Sequence, residues 1–125
     1  MKIKTSELIG AQLDWAVAKA EALNFEPYFY KHGQYWVIKV VRDGYNPERN
    51  VYWFSPSTDW SQGGPLIEKF RPVIVYHNGP DETPMAATRE QSPNFMAGDT
   101  VLIAAMRAIV AAKLGEEIEV PEELV

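Results

Sequence analysis

The amino-acid sequence predicts an α+β fold, in which a mainly antiparallel β-sheet packs against one N-terminal and one C-terminal α-helix. Three observations carry this. The run from residue 99 to 114, DTVLIAAMRAIVAAKL, is apolar on nearly every side, and past its first residue only Arg107 and Lys113 carry charge. A second alanine-rich stretch lies between Thr5 and Leu23. Between the two, residues 24–54 change to aromatic and β-branched side chains, the composition of strands.

The C-terminal helix is the clearest element. At about 100° per residue, Leu102, Ile103, Met106, Ile109, Val110 and Leu114 share one broad face, while Ala104, Ala105, Ala108, Ala111 and Ala112 form the other. Such a helix has two faces to bury. Asp99 or Thr100 is placed to cap its first amides, and Gly115 stands where a left-handed residue ends a helix. Arg107 sits between the two faces, where a long cation lays its stem on apolar surface and brings its guanidinium to an edge. It has two readings: a salt bridge to one of the many glutamates, or an arginine that binds an anion or a partner.

Taken in order, the chain starts with a β-prone segment at Lys2 to Lys4, and Thr5 or Ser6 then caps a helix expected to run to about Leu23. This helix carries one stripe of Leu13, Ala16, Val17 and Ala20 and a second of Ala11, Trp15, Ala18 and Ala22. Its small residues suit close packing on the C-terminal helix. Asp14 and Glu21 lie on one side of these stripes and Gln12 and Lys19 on the other, and Trp15 reads as a core or interface anchor. Tyr28 to Tyr30 and Tyr35 to Val41 then form a hairpin around His32-Gly33, with His32 a solvated turn residue. Asp43-Gly44 and Asn46-Pro47 mark a connection to a short strand at Val51 to Phe54.

The segment Ser55 to Pro65, SPSTDWSQGGP, lacks apolar periodicity and reads as a loop. Ser57, Thr58 and Asp59 are suited to holding it through side-chain to backbone bonds. Gly63 and Gly64 leave amides uncovered, and Trp60 offers a flat face. The loop is either a turned segment with Trp60 plugging the core, or a ligand or partner loop. Leu66 to Phe70 and Val73 to Tyr76 resume strand composition, with Arg71-Pro72 marking an edge position or bend. Residues 77–98, with three prolines and two glycines, read as a long loop. In it Asn94, Phe95 and Met96 either fold over a pocket or pack as an anchor. In the acidic tail, Ile118 and Val120 alternate with glutamates as in a short edge strand.

The totals bound the function. At 125 residues with 46% apolar composition, residues 1–125 form one domain. A net charge of −5, with none of the twelve Lys and Arg in a run, argues against direct nucleic-acid binding. Without cysteine, and with only His32 and His77, the sequence offers no metal ligands of the thiolate or histidine-rich kind and implies no cofactor. The absence of a signal-like start or a membrane-length apolar run points to a cytoplasmic protein.

Three stretches, KTSELIGAQLDWAVAKAEA, PSTDWSQGGPLIEK and LIAAMRAIVAAKLGEEIEVPEEL, together a little under half of the chain, resemble the phage NinX family in order and approximate spacing. The resemblance implies a phage or prophage accessory protein working in the cytoplasm of a bacterial host. It brings no catalytic residues with it.

An enzyme would need a nucleophile with its base and orienter. Ser57 or Ser61 with Asp59 and His77 can be written down as a triad, but no G-x-S-x-G turn supports it. QGGP likewise lacks the Lys-Ser/Thr of a phosphate loop. A hydrolase is therefore the least favoured class, and no catalytic residues are assigned. A binding module fits better. In it Ser57, Thr58, Asp59, Trp60, Gln62, Gly63 and Gly64, together with Arg107, bind a small anionic or nucleotide ligand, such as a signal of host defence. Trp60 stacks on the ligand and Arg107 pairs with its phosphate or carboxylate. The alternative is a protein-interaction module that grips a host or phage protein, and in either case a homodimer or higher oligomer is expected.

Overall fold

The computed structural model describes residues 1–21, 28–32, 35–41, 51–77, 82–90 and 94–125. In chain order its elements are β1 (Lys2–Lys4), α1 (Ala11–Ala20), β2 (Tyr28–His32), β3 (Tyr35–Val41), β4 (Val51–Trp53), α2 (Trp60–Phe70), β5 (Val73–Tyr76), β6 (Pro84–Ala87), β7 (Met96–Ala97), α3 (Val101–Leu114) and β8 (Glu117–Glu119). The α+β class is the one the sequence predicts. The antiparallel pairing holds throughout.

The centre is α3, and both of its faces are covered. Leu102, Met106, Ile109 and Val110 are buried on the bulky side, and Ala104, Ala105, Ala108 and Ala111 on the small side. The Ile103 amide donates to Thr100 Oγ1 at 3.1 Å, and Gly115, with φ of 97°, ends the helix. Both capping expectations hold. Around α3 pack α1, α2, β6, β7 and the turn that precedes α1.

That turn is where the N-terminal helix departs from expectation. Thr5–Glu7 forms one 3-10 turn, and α1 starts only after Gly10, whose φ of 60° breaks the helical path. The helix then ends at Ala20, and its expected last residues, Ala22 and Leu23, lie outside the described residues.

Among the described residues the strands form three separate antiparallel sheets of two, three and three strands, rather than the one sheet that the sequence suggested. One flat sheet could cover only one side of a helix that is apolar all round. In the first sheet β1 pairs with β8, setting Lys2 opposite Glu119 and Lys4 opposite Glu117, with Ile118 turned into the core. The second has order β2-β3-β4 and contains the expected hairpin, His32 opposite Tyr35. His32, expected in the turn, is instead the last residue of β2, while residues 33–34 and residues 42–50, which include the expected connection, lie outside the described residues. Ile38 of β3 is buried in the core, and β3 packs on α1.

The third sheet, β5-β6-β7, lies on α3 through Ile74, Ala86 and Met96. Its strands β6 and β7 occupy the region expected to be one long loop. Ala86 and Ala87 gave no strand signal because alanine has little strand preference; here their small size fits beneath α3.

The largest correction concerns residues 55–70. The segment expected as a loop and then a strand is a turn followed by a helix, since α2 starts at Trp60 and runs through the Gly63-Gly64-Pro65 sequence to Phe70. Leu66, Ile67 and Phe70 form its inward face. Arg71, in the left-handed region at φ of 46°, ends it before β5, so Arg71-Pro72 does mark a bend. The glycine is needed for approach rather than for flexibility: a Cβ on Gly63 would lie 2.4 Å from the Pro56 carbonyl oxygen and 2.5 Å from Leu102 Cδ2. Gly63→Ala is therefore expected to force α2 off the core and destabilise the protein by about 1–3 kcal/mol. A urea denaturation midpoint unchanged from the parent would contradict this packing.

Candidate functional site

The predicted ligand loop is built from the chain that joins β4 to α2. The amides of Thr58 and Asp59 both donate to the Ser55 carbonyl, at 3.1 and 2.9 Å, making a tight turn. Asp59 then caps α2, its carboxylate accepting from the Ser61 amide at 2.9 Å and from Ser61 Oγ at 2.6 Å. Gln62 reaches back from the first turn of the helix. Its Nε2 donates to the Trp53 carbonyl at 2.6 Å, and its Oε1 accepts from the Ser55 amide at 2.6 Å. A single carboxamide thus continues the backbone pairing beyond β4. The Gly63 amide donates to the Asp59 carbonyl at 2.8 Å.

Of the eight predicted residues, seven lie together. Ser57, Thr58, Asp59, Trp60, Gln62, Gly63 and Gly64 form one turn and helix start. Arg107 is not joined to them. Leu102 packs on Gly63, and Arg107 stands five residues further along α3, about 140° around the helix. Its Nε donates to the Leu8 carbonyl at 2.9 Å and its Nη1 to the Ala97 carbonyl at 2.8 Å. Among the described residues no glutamate pairs with it, and two main-chain carbonyls hold it instead. Burial draws the Arg107 pKa below its ordinary value, while the negative charge of Asp99 acts in the opposite sense. Arg107 thus ties the turn before α1 to the end of β7. Arg107→Ala would leave both carbonyls without their donor, at a cost of about 1–3 kcal/mol. Arg107→Lys should recover only part of this, since one ammonium does not match the guanidinium fork; equal unfolding midpoints for all three proteins would refute the tie.

Trp60 does not plug the core. It is 59% exposed at the first position of α2, with Thr58 and Ser61 exposed beside it. Gly64 sits one turn on, where a Cβ would be 4.0 Å from Trp60 Cε3. Trp15, by contrast, is buried as expected, with Lys19 Nζ 5.6 Å from its ring centre.

One important residue escaped the sequence reading. Asp14 is buried in α1 and its Oδ1 accepts from the Ser57 amide at 2.9 Å, with the buried Ser57 hydroxyl beside it. Its helical neighbours, Gly10, Ala11, Val17 and Ala18, carry no polar side chain, and that pattern was the available signal. Burial raises the Asp14 pKa from 3.8 to about 6, the bond from the Ser57 amide opposing it in part. The folded state therefore holds this proton more tightly than the unfolded chain does. Stability falls as pH rises from about 4 to about 6 and is level above that. Asp14→Asn keeps the acceptor and removes the buried charge. It should be more stable than the parent by roughly 1–3 kcal/mol at neutral pH, with the gain fading toward pH 4. A gain that is the same at every pH would rule out this titration.

The triad written from the sequence is not assembled as a catalytic unit. Ser57 is buried against Asp14, and Ser61 and Asp59 form a local helix cap. No group of three or more His, Cys, Asp or Glu side chains among the described residues is placed to hold a metal ion. Asn94, Phe95 and Met96 line a cleft of about 620 Å³ together with Lys4, Met85 and Glu117, which leaves no single sign of charge in it. No helix among the described residues is long and apolar enough to cross a membrane.

A family model described as bacteriophage P22, NinX, matches residues 4–113. The match takes in α1, α2 and α3 up to Lys113 and stops before β8. No curated protein matches the chain.

Proposed function

We propose, from the premise that this chain belongs to the bacteriophage P22 NinX family, that it is a non-enzymatic binding module that engages a host protein through the surface around Trp60. The supporting observation is the contrast between Trp60 and its neighbours. Both carboxamide atoms of Gln62 are bonded to main chain, the Gly63 amide is bonded to Asp59, and Ser57 is buried. The indole is the large aromatic side chain of this segment and is turned outward, between the small exposed Thr58 and Ser61, on a helix start fixed by those bonds. A large rigid aromatic held in water is the usual anchor of a protein interface, bringing area at little cost in side-chain entropy.

The same arrangement weighs against a nucleotide. Arg107 lies elsewhere, and the Asp59 carboxylate occupies the helix start, where a phosphate would otherwise be attracted. The test is capture of host proteins by the immobilised chain and by Trp60→Ala, with matching thermal midpoints establishing that both are folded. One or more proteins should be retained by the parent and lost by the variant. A parallel thermal-shift series with nucleotides, cyclic nucleotides and ADP-ribose should give no response. A nucleotide shift abolished by Trp60→Ala would transfer the surface to a small ligand, and equal capture by both proteins would end the proposal.

A further inference from the structure

The strand β5 is the edge of the third sheet, and its backbone has a definite phase. The His77 amide donates to the Thr83 carbonyl at 3.0 Å, in the register that pairs Val75 with Met85 and Val73 with Ala87. Residues 73, 75 and 77 thus direct their amides and carbonyls toward β6, and Ile74 and Tyr76 direct theirs away from the sheet. Those four outward groups have no partner among the described residues. The strand is apolar as well as open. Val73 is 41% exposed, Val75 39% and Tyr76 58%. Edge strands are normally blunted by charge, a bulge or a cover, and among the described residues Pro72 alone, at the entrance, interrupts this edge.

We propose that β5 pairs antiparallel with β5 of a second copy about a two-fold axis at Val75, joining the two three-stranded sheets into one of six. This register is selected by the sequence. Centred on Val75, it sets Ile74 opposite Tyr76 of the second copy, and these two pairs use all four outward groups of each strand. Centred on Ile74 instead, it would set Tyr76 opposite Pro72, which has no amide to give, and the Tyr76 carbonyl would stay unpaired. The Val75-centred register also lays Val75 against Val75 and Val73 against His77 on the exposed face, and a β-branched residue against an aromatic on the other.

The occupant is a second copy because the edge is complementary to itself in hydrogen bonding and in side chains. A four-residue ladder is a small interface, so association at roughly 10–100 μM is expected rather than a permanent dimer.

The chain has no cysteine, so single cysteines report the register directly. Val75→Cys and Val73→Cys are each oxidised mildly at high concentration. Across the axis, two residues at position 75 lie about 4.5 Å apart at Cα, within reach of a disulfide, whereas two at position 73 are offset by four residues, about 13 Å along the strand, and are not. Val75→Cys should therefore convert largely to disulfide dimer and Val73→Cys at least tenfold less. Val73→Cys mixed with His77→Cys should crosslink to each other. Crosslinking of Val73→Cys as readily as Val75→Cys, or of neither, overturns the proposal. Sedimentation of the full chain supplies a second measure: a concentration-dependent rise in mass that Val75→Lys abolishes while keeping the parent's thermal midpoint. A parent that stays monomeric throughout also overturns it. Trp60→Ala should leave the crosslink intact, so failure here and failure of the Trp60 surface are told apart.

Discussion

A helix without a polar side is the constraint on which the rest of this structure depends. Full burial of a side chain such as Met106, Ile109 or Val110 contributes about 1.5–3 kcal/mol each. An exposed ion pair such as Arg71 with Glu68 contributes less than about 1 kcal/mol. The first effect wins by a wide margin, and the fold follows from it. The other elements are arranged so that α3 is covered on both faces as far as Ala111, by α1 and α2 as helices, β6 and β7 as strands, and β8 as the segment that returns past it. The division of the strands into three small sheets is the cost of covering a cylinder with pieces that are flat.

Covering a helix with short pieces creates a second problem, which the polar side chains solve. Where β4 turns into α2, and where the chain passes from the N-terminal turn into α1, main-chain groups lose water without entering a ladder. Arg107 supplies donors to two such carbonyls, Gln62 pairs with one carbonyl and one amide, and Asp14 receives an amide. These three residues have the look of ligand-binding chemistry, since hydrogen-bonding side chains in irregular chain serve both purposes. In each case the partner turns out to be the protein's own backbone. The exposed indole of Trp60 is what remains after this internal use is accounted for.

The sequence carried the parts of the fold governed by period and by local chemistry. The two faces of α3, its Thr100 cap and Gly115 stop, the β2-β3 hairpin and the alternation of Ile118 with glutamates were all legible, because each depends on residues close in the chain. What could not be read was set by contacts between distant residues. Gly63-Gly64-Pro65 looks like a breaker, yet Gly63 is required in a helix because Pro56 and Leu102 come so near. Asp14 looked like a surface residue because its partner, the Ser57 amide, is 43 positions away. The candidate site was legible as a polar segment with one aromatic, and the inward direction of its polar groups was not.

The pairing of β1 with β8 has a consequence for how the molecule comes into being. Lys2 and Glu119 are neighbours in space although nearly the whole chain separates them, and the Thr5 amide donates to the Glu116 carbonyl at 2.7 Å. Contacts of such long range form late, since the entropy of closing the intervening loop must be met before they contribute. During synthesis the N-terminal strand waits, unpaired, until more than a hundred further residues have been made. Completion of the fold is thus delayed until β8 is free to pair with β1.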